Sequence, residues 1–326
     1  MATRLERACL IAVCVSFIAG VAVFAAEPAY PTRPVRLLIP FAAGGGTDTL
    51  ARIMAPRLGD DLGQTVVVDN RGGAGGNLAA EIVANAAPDG HTVFVGFNTV
   101  LTVNPVLYKL PFSVERDLAP VTLLATAQYI LVIHASVPAN TLTEFIAAAK
   151  QKPGAFNFSS GGVGTPLHLS AELLSKRAGI KMVHIPYKGG APAAAALLAG
   201  EVQVLFGSVA ASVPHVKSGR LKALATTGIT RSKVLPDLPT IAESGFPGFD
   251  VGSWYALLVP AKTPQFAVNR LRDAAIKTVA LPEVLDAMSR QGLEVETSTP
   301  RELAERIKRE SAVWAGVIKE AGIKGE

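Results

Sequence analysis

The sequence predicts an α/β protein of two doubly wound lobes with a ligand cleft between them. Three observations carry that prediction. Apolar strand-like runs alternate with helical segments along nearly the whole chain, the pattern of βαβ units and a mostly parallel sheet. At 326 residues the chain exceeds one average domain and suits two. Each half also carries a glycine-rich turn between a strand and a helix, at Gly44–Gly46 and at Gly161–Gly164.

Composition supports a folded, uncharged interior. The chain is 49% hydrophobic and 17% charged, enough to fill substantial cores and incompatible with a disordered protein. Residues 1–26 are read as a secretory signal peptide. Arg4 and Arg7 give the positive start, Ala8 to Val23 is almost wholly apolar, and small residues favour cleavage near Ala25 or Ala26. An uncleaved anchor is the alternative, because the apolar run approaches bilayer-spanning length. Both cysteines, Cys9 and Cys14, lie in this segment, so the mature chain is expected to have no disulfide, thiol nucleophile or cysteine metal site. Removing Arg4, Arg7 and Glu6 from 31 basic and 26 acidic residues leaves a mild excess of +4. The basic residues are dispersed and no aromatic-interleaved stripe is present, so no nucleic acid is expected as a partner.

The strand Val35–Ile39 leads through Pro40-Phe41-Ala42-Ala43-Gly44-Gly45-Gly46-Thr47-Asp48 into a helix over Thr49–Ala55. Backbone can approach a ligand closely there, and the first-turn N–H groups suit an anion or carboxylate. A plain tight βα connection is the bland alternative. A second unit follows, with a strand at Thr65–Asp69, a turn at Asn70–Asn77 and a helix at Leu78–Ala87. A third strand, His91–Gly96, delivers Asn98 and Thr99 just past its end, where parallel sheets carry binding groups. Pro105–Pro111 and Asp117–Pro120 read as an irregular passage.

The second lobe starts with the strand Tyr129–Ile133 and the helix Thr141–Lys150, where Thr141 and Glu144 suggest a capping box. Phe156–Ser159 is the next strand, followed by Ser159-Ser160-Gly161-Gly162-Val163-Gly164-Thr165 and a helix over Pro166–Arg177. Lys181–Pro186 is a strand, and Tyr187-Lys188-Gly189-Gly190 opens an Ala/Leu helix ending at Gly200. The strand Val202–Phe206 delivers Gly207 and Ser208, and Leu221–Thr227 leads back to the first lobe. A strand at Trp254–Val259, helices over Pro264–Val279 and Pro282–Gln291, a short strand at Leu293–Glu296 and a helix over Pro300–Ala321 complete the chain. The lobes are placed at 27–127 with 226–326, and at 128–225.

Enzymatic signatures are missing. His91, His134, His168, His184 and His215 are widely separated without H-E-x-x-H spacing, and no serine sits in G-x-S-x-G. The glycine turns form neither G-x-G-x-x-G opening a helix nor the G-K-[S/T] ending of a phosphate loop. No catalytic residue, metal or cofactor is expected. Asp48 either caps its own helix or contacts a ligand. His168 reads as a helix residue at a lobe edge in preference to a metal ligand. Tyr187 and Lys188 either close the cleft or, for Lys188, form a solvated loop charge.

Several segments together resemble the Bug-type periplasmic receptors of tripartite tricarboxylate transporters. They are Pro40–Asp48 with Ala51-Arg52, Val67–Gly76, Ser159–Thr165 with His168-Leu169, His184–Gly189, and Leu235–Thr240 with Glu243. They cover nearly all of the mature chain in the family's order. Gly72 departs from the family's common proline. The resemblance implies a type II periplasmic-binding-protein-like Venus flytrap in the periplasm, working as a monomer. It would capture a small carboxylate solute and deliver it to integral membrane transporter subunits, one large and one small; sensing for a signalling partner is the alternative role, and a soluble periplasmic enzyme a lesser one. It also implies that the loop Phe41–Asp48 holds one carboxylate through backbone groups and ordered waters. The candidate contacts are Phe41, Ala43, Gly44, Gly45, Gly46, Thr47, Asp48, Asn98, Ser159, Ser160, Gly161, Gly164, Thr165, His168, Tyr187, Lys188, Gly207 and Ser208.

Overall fold

The computed structural model describes residues 29–187 and 189–323. The expected signal peptide, 1–26, and Lys188 lie outside the described residues.

The first sheet grows from β1 (Val35–Ile39), a strand of four wholly or nearly buried apolar residues that Pro40 ends. It feeds α1 (Gly46–Leu62), which runs through Pro56 and stops at Gly63 in the left-handed conformation, φ 70°. Next come β2 (Val66–Asn70), α2 (Asn77–Ala84) and β3 (Thr92–Phe97). Both β2 and β3 pair with β1 in parallel, so their carboxyl ends, and the helices that follow them, share one edge. Three short helices follow, α3 (Asn98–Thr102), α4 (Asn104–Leu107) and α5 (Val114–Asp117).

The irregular passage expected near Asp117–Pro120 is instead the start of a 17-residue strand, β4 (Leu118–His134). Pro120 is tolerated because the pairing register shifts between Pro120 and Thr122, which relieves the ladder of a missing donor. The remaining elements are α6 (Leu142–Gln151), β5 (Asn157–Ser160), α7 (Pro166–Ala178), β6 (Val183–Pro186), α8 (Gly190–Leu198), β7 (Val204–Ser208), α9 (Val209–Lys217) and β8 (Leu221–Thr226). After them come β9 (Gly252–Pro260), α10 (Gln265–Val279), α11 (Pro282–Arg290), β10 (Glu294–Val295) and α12 (Pro300–Ala321). Thr141 does cap α6 by accepting from the Glu144 amide, but the Glu144 carboxylate reaches the amide of Asn140, so that box is half made. The reciprocal box forms at α12, between Thr299 and Glu302.

β4 joins two sheets. Leu118 to Gln128 pair antiparallel with β9, which pairs with β3. From Tyr129 onward β4 pairs with β7 and β8, and β7 leads through β5 to β6. The partner change falls between Gln128 and Tyr129. The second core holds Phe145, Phe158, Leu174 and Phe206 from the second sheet and its helices, together with Ile241, Phe249 and Val251 from the segment before β9. That segment therefore packs on the core beneath the second sheet. Trp314, Val317 and Ile318 near the end of α12 join the same core.

Candidate ligand-binding site

A cavity of about 440 Å³ opens at the carboxyl ends of β5 and β7 in the second lobe. Three helices begin on it, since its wall includes Thr165 and Pro166 of the α7 start, Gly189 and Gly190 of the α8 start, and Ser208, Ala211 and Ser212 of the α9 start. Thr165 turns its hydroxyl back to the Gly162 carbonyl at 2.7 Å, leaving α7 without a side-chain cap. Gly189 cannot cap α8. Ser208 does cap α9, accepting from the Ala211 amide at 3.3 Å. The first-turn N–H groups of three helices make this a positive pocket, and no charged side chain is among its described lining residues. Its natural guest is an anion.

Two loops close on each other at Gly161. A Cβ there would stand 3.2 Å from the Gly189 carbonyl carbon and 3.3 Å from the Gly190 nitrogen, so the wall admits no larger side chain without moving backbone. Gly207 is similarly tight, with a Cβ 2.7 Å from Ser212 Oγ.

Other expected contacts lie beneath this wall and not in it. Ser159 is buried and donates to the Ala193 carbonyl at 3.0 Å, tying β5 to α8. Ser160 is buried and its Oγ lies 2.6 Å from His184 Nε2, while accepting from the Gly162 amide at 3.1 Å. His168 is 4% exposed, accepts from the Gly164 amide at Nδ1 (3.1 Å), and stacks on His184 with centroids 4.0 Å apart. Burial, with His168 beside it, pushes His184 down to about 4. The Tyr187 hydroxyl donates to Glu201 at 3.4 Å, while its amide holds the Ser160 carbonyl.

The first loop is built differently. Ala42 to Gly46 are exposed, and α1 starts at Gly46 without a side-chain cap. Thr47 is buried, 3% exposed. Asp48, also 3% exposed, accepts from the Gly44 amide at 2.8 Å and from Arg52 Nε at 3.0 Å. The Arg52 guanidinium, helped by the Gly44 amide and Asn70, holds the Asp48 carboxyl below its ordinary range against the cost of burial. Arg52 extends to Asn70, whose amide donates to the Phe41 carbonyl at 2.9 Å. Asp48 is thus the clamp of its loop, with both oxygens on protein donors. Phe41 meets Phe97 edge-on at 5.5 Å. Asn98, 3% exposed, donates to the Gly252 carbonyl at 2.8 Å, and its Oδ1 is buried without a partner.

Phe41–Asp48 and Asn98 do not share the wall of the second-lobe cavity. What lies between is a group of hydroxyls invisible in the motifs. A Cβ on Gly46 would stand 2.7 Å from the Tyr255 hydroxyl. Tyr255 is near Ser253, Ser253 is hydrogen-bonded to the Tyr129 hydroxyl, and Tyr129 lines the cavity. Burial raises both phenols, Tyr255 to about 12, so each remains a neutral donor. Tyr129, Pro166, Leu167, Gly189, Gly190, Ala191, Ala194, Leu205, Ala211 and Ser212 stand in the wall without being among the expected contacts; the small-residue starts of α8 and α9 are the available signal.

A family model described as tripartite tricarboxylate transporter family receptor matches residues 50–323. The chain belongs to this receptor family. It is 37% identical over 311 residues to protein BugT of Bordetella pertussis, covering 94% of each chain. A structure of an R. palustris protein with adipate aligns at a TM-score of 0.78 and 33% identity, covering 90% of this chain and 99% of that one. MatC of Rhodopseudomonas palustris with bound malate aligns at 0.74 and 33%, covering 89% and 100%. The receptor is accordingly a periplasmic solute-binding protein with the two-lobed type II fold, and not an enzyme.

Proposed function

We propose that this receptor captures a small carboxylate between its lobes and hands it, as a monomer, to the membrane subunits of a tripartite tricarboxylate transporter. The observation that carries the reading is the convergence of the α7, α8 and α9 starts on one cavity without a charged side chain. The solutes named for two relatives, adipate and malate, are carboxylates and agree with it.

Magnitudes show why one lobe is insufficient. Three helix starts at roughly 0.3–1 kcal/mol each supply roughly 1–3 kcal/mol. A micromolar complex needs about 8 kcal/mol. The remainder comes from the first loop, whose uncapped α1 start and exposed Gly45 and Gly46 backbone offer a second set of donors once the lobes close, with the Gly44 amide held by Asp48. Closure is favoured only by contacts that are better in the closed form. We divide the lobes at Gln128/Tyr129 and at Gly252. In this reading Gly44, Gly45, Gly46, Gly161, Thr165, Gly207 and Ser208 touch the solute or its waters, and Asp48, Ser159, Ser160 and His168 hold the touching backbone in place.

The test is a thermal-shift screen against mono-, di- and tricarboxylates, amino acids and aromatic acids, with calorimetry on each hit and light scattering for mass. A saturable shift with one acid recovered unchanged is the expected result. No shift with any acid, or a neutral solute bound in preference, overturns the reading.

A further inference from the structure

We infer that His168 and His184 are positioning residues that hold the loop Gly161–Thr165 in its anion-binding shape, His168 only while its ring is neutral, so that the Gly164 end of the loop lets go on acidification. The functional consequence rests on the carboxylate reading above; the geometry of the pair does not.

The two rings come from different elements. α7 supplies His168 one turn after the loop, and β6 supplies His184 beside it. They stack at 4.0 Å and 21°, and Phe158 of β5 continues the stack 4.8 Å from His184. Each ring holds one end of the loop. His184 Nε2 meets Ser160 Oγ at 2.6 Å, and that oxygen accepts from the Gly162 amide. At the other end, His168 Nδ1 accepts from the Gly164 amide at 3.1 Å.

A backbone N–H can only donate, so His168 Nδ1 has to be the bare nitrogen and the ring proton has to sit on Nε2. Nε2 faces the Glu172 carboxylate at 3.6 Å, which orients that tautomer. Placing a proton on Nδ1 sets an N–H against the Gly164 N–H, and the bond is lost. A second charge arising on His184 would then lie 4.0 Å from the first, where like charges in a half-buried site repel strongly.

The charged and titratable groups acting on His184 are His168 and Glu172. β5 offers the stack only Phe158 and Ser160, which carry no charge. α12 packs on α7 but pairs its Glu320 with Lys176, two turns away from the rings. Glu172 favours the charged form of His184, but burial and the neighbouring His168 outweigh it. The loop that presents Gly161 and Thr165 to the cavity is pinned at Gly162 by the Ser160 and Thr165 hydroxyls and at Gly164 by a bare imidazole nitrogen, so the Gly164 end is the part whose shape is conditional on pH.

The experiment uses the whole chain without added solute, labelled with ¹⁵N at histidine and glycine, followed by NMR from pH 7.5 to 4. At pH 7.5 the His168 Nδ1 resonance is expected in the unprotonated range and Nε2 in the protonated range. The Gly164 amide is expected to shift in step with protonation of the rings, and its hydrogen exchange at pH 7 to quicken about tenfold in His168→Phe, which keeps a stacking ring and removes the acceptor. A proton on His168 Nδ1 at pH 7.5, or a Gly164 amide that stays put while both rings titrate, would overturn the inference. The tautomer measurement decides the question even where His168→Phe does not fold. Because no solute is present, failure of the carboxylate screen leaves this result standing, and the reverse also holds.

Discussion

The two glycine loops share one plan, strand, glycines, helix start, yet they are secured by opposite means. The first, Gly44–Asp48, is clamped by a carboxylate: Asp48 holds the Gly44 amide and the half-exposed Arg52 together. The second, Ser160–Thr165, is tied by neutral groups, the stacked histidines and Ser160, beneath a cavity wall of small residues. In the proposed reading, binding chemistry is set by backbone in both loops, while sensitivity to pH is set by what lies underneath.

Blocking the second wall should have the largest effect. Gly161→Val puts a branched side chain where a Cβ already stands 3.2 Å from Gly189, and affinity for whichever acid binds should fall roughly 10- to 100-fold. Calorimetry checks this, and wild-type affinity would remove Gly161 from the wall. Asp48→Ala releases the first clamp, leaving Gly44 and Arg52 without their shared acceptor; an affinity loss of about tenfold is expected, with faster amide exchange at Gly44. An unchanged Gly44 would show that the loop does not need the clamp.

Acid should separate the two loops. His184 lies near 4 in the folded chain against an ordinary 6.5, so between those values the unfolded chain takes up a proton that the folded chain refuses. Stability therefore falls as pH drops from about 6.5 to about 4, an effect moderated because the ring is only half-buried. Asp48 behaves differently: its folded carboxyl lies below 3.8, so its contribution persists until the pH falls beneath that value. Urea unfolding at pH 7, 5 and 3.5 on wild type and His184→Phe reads both; a slope between pH 6.5 and 4 that survives in His184→Phe assigns it elsewhere. The smallest effect belongs to Tyr255→Phe, which deletes the hydroxyl beside Gly46 and should weaken binding roughly two- to tenfold, measured by the same titration.

Much of the frame was readable because local signals agreed with tertiary ones. Val35–Ile39 is apolar at every position but Arg36 and stopped by Pro40, and the last helix has proline at its start and glycine just past its end; both have the bounds the sequence suggested. β4 was hidden by Pro120, which ordinarily argues against a strand and is accommodated here by a register shift. Pro214 and neighbouring valines likewise obscured α9. At the site, the glycine loops announced themselves because close backbone approach needs glycine. Which side chains stand in the wall depends on strand pairing between distant segments, Tyr129 with Ser208 for example, and no local pattern encodes that. His168 and Tyr187 illustrate the same limit, since a residue adjacent to a binding loop in sequence can support it from behind.

The central claim is that uncapped helix starts in both lobes recognise negative charge. Calorimetric titrations of adipate and malate against adipamide and malamide test it most directly, because each diamide keeps the shape of its acid and loses the charge. The account predicts saturable binding of at least one of the two acids and none of its diamide. Equal binding of an acid and its diamide, or no binding of either acid while a neutral solute binds, would contradict it.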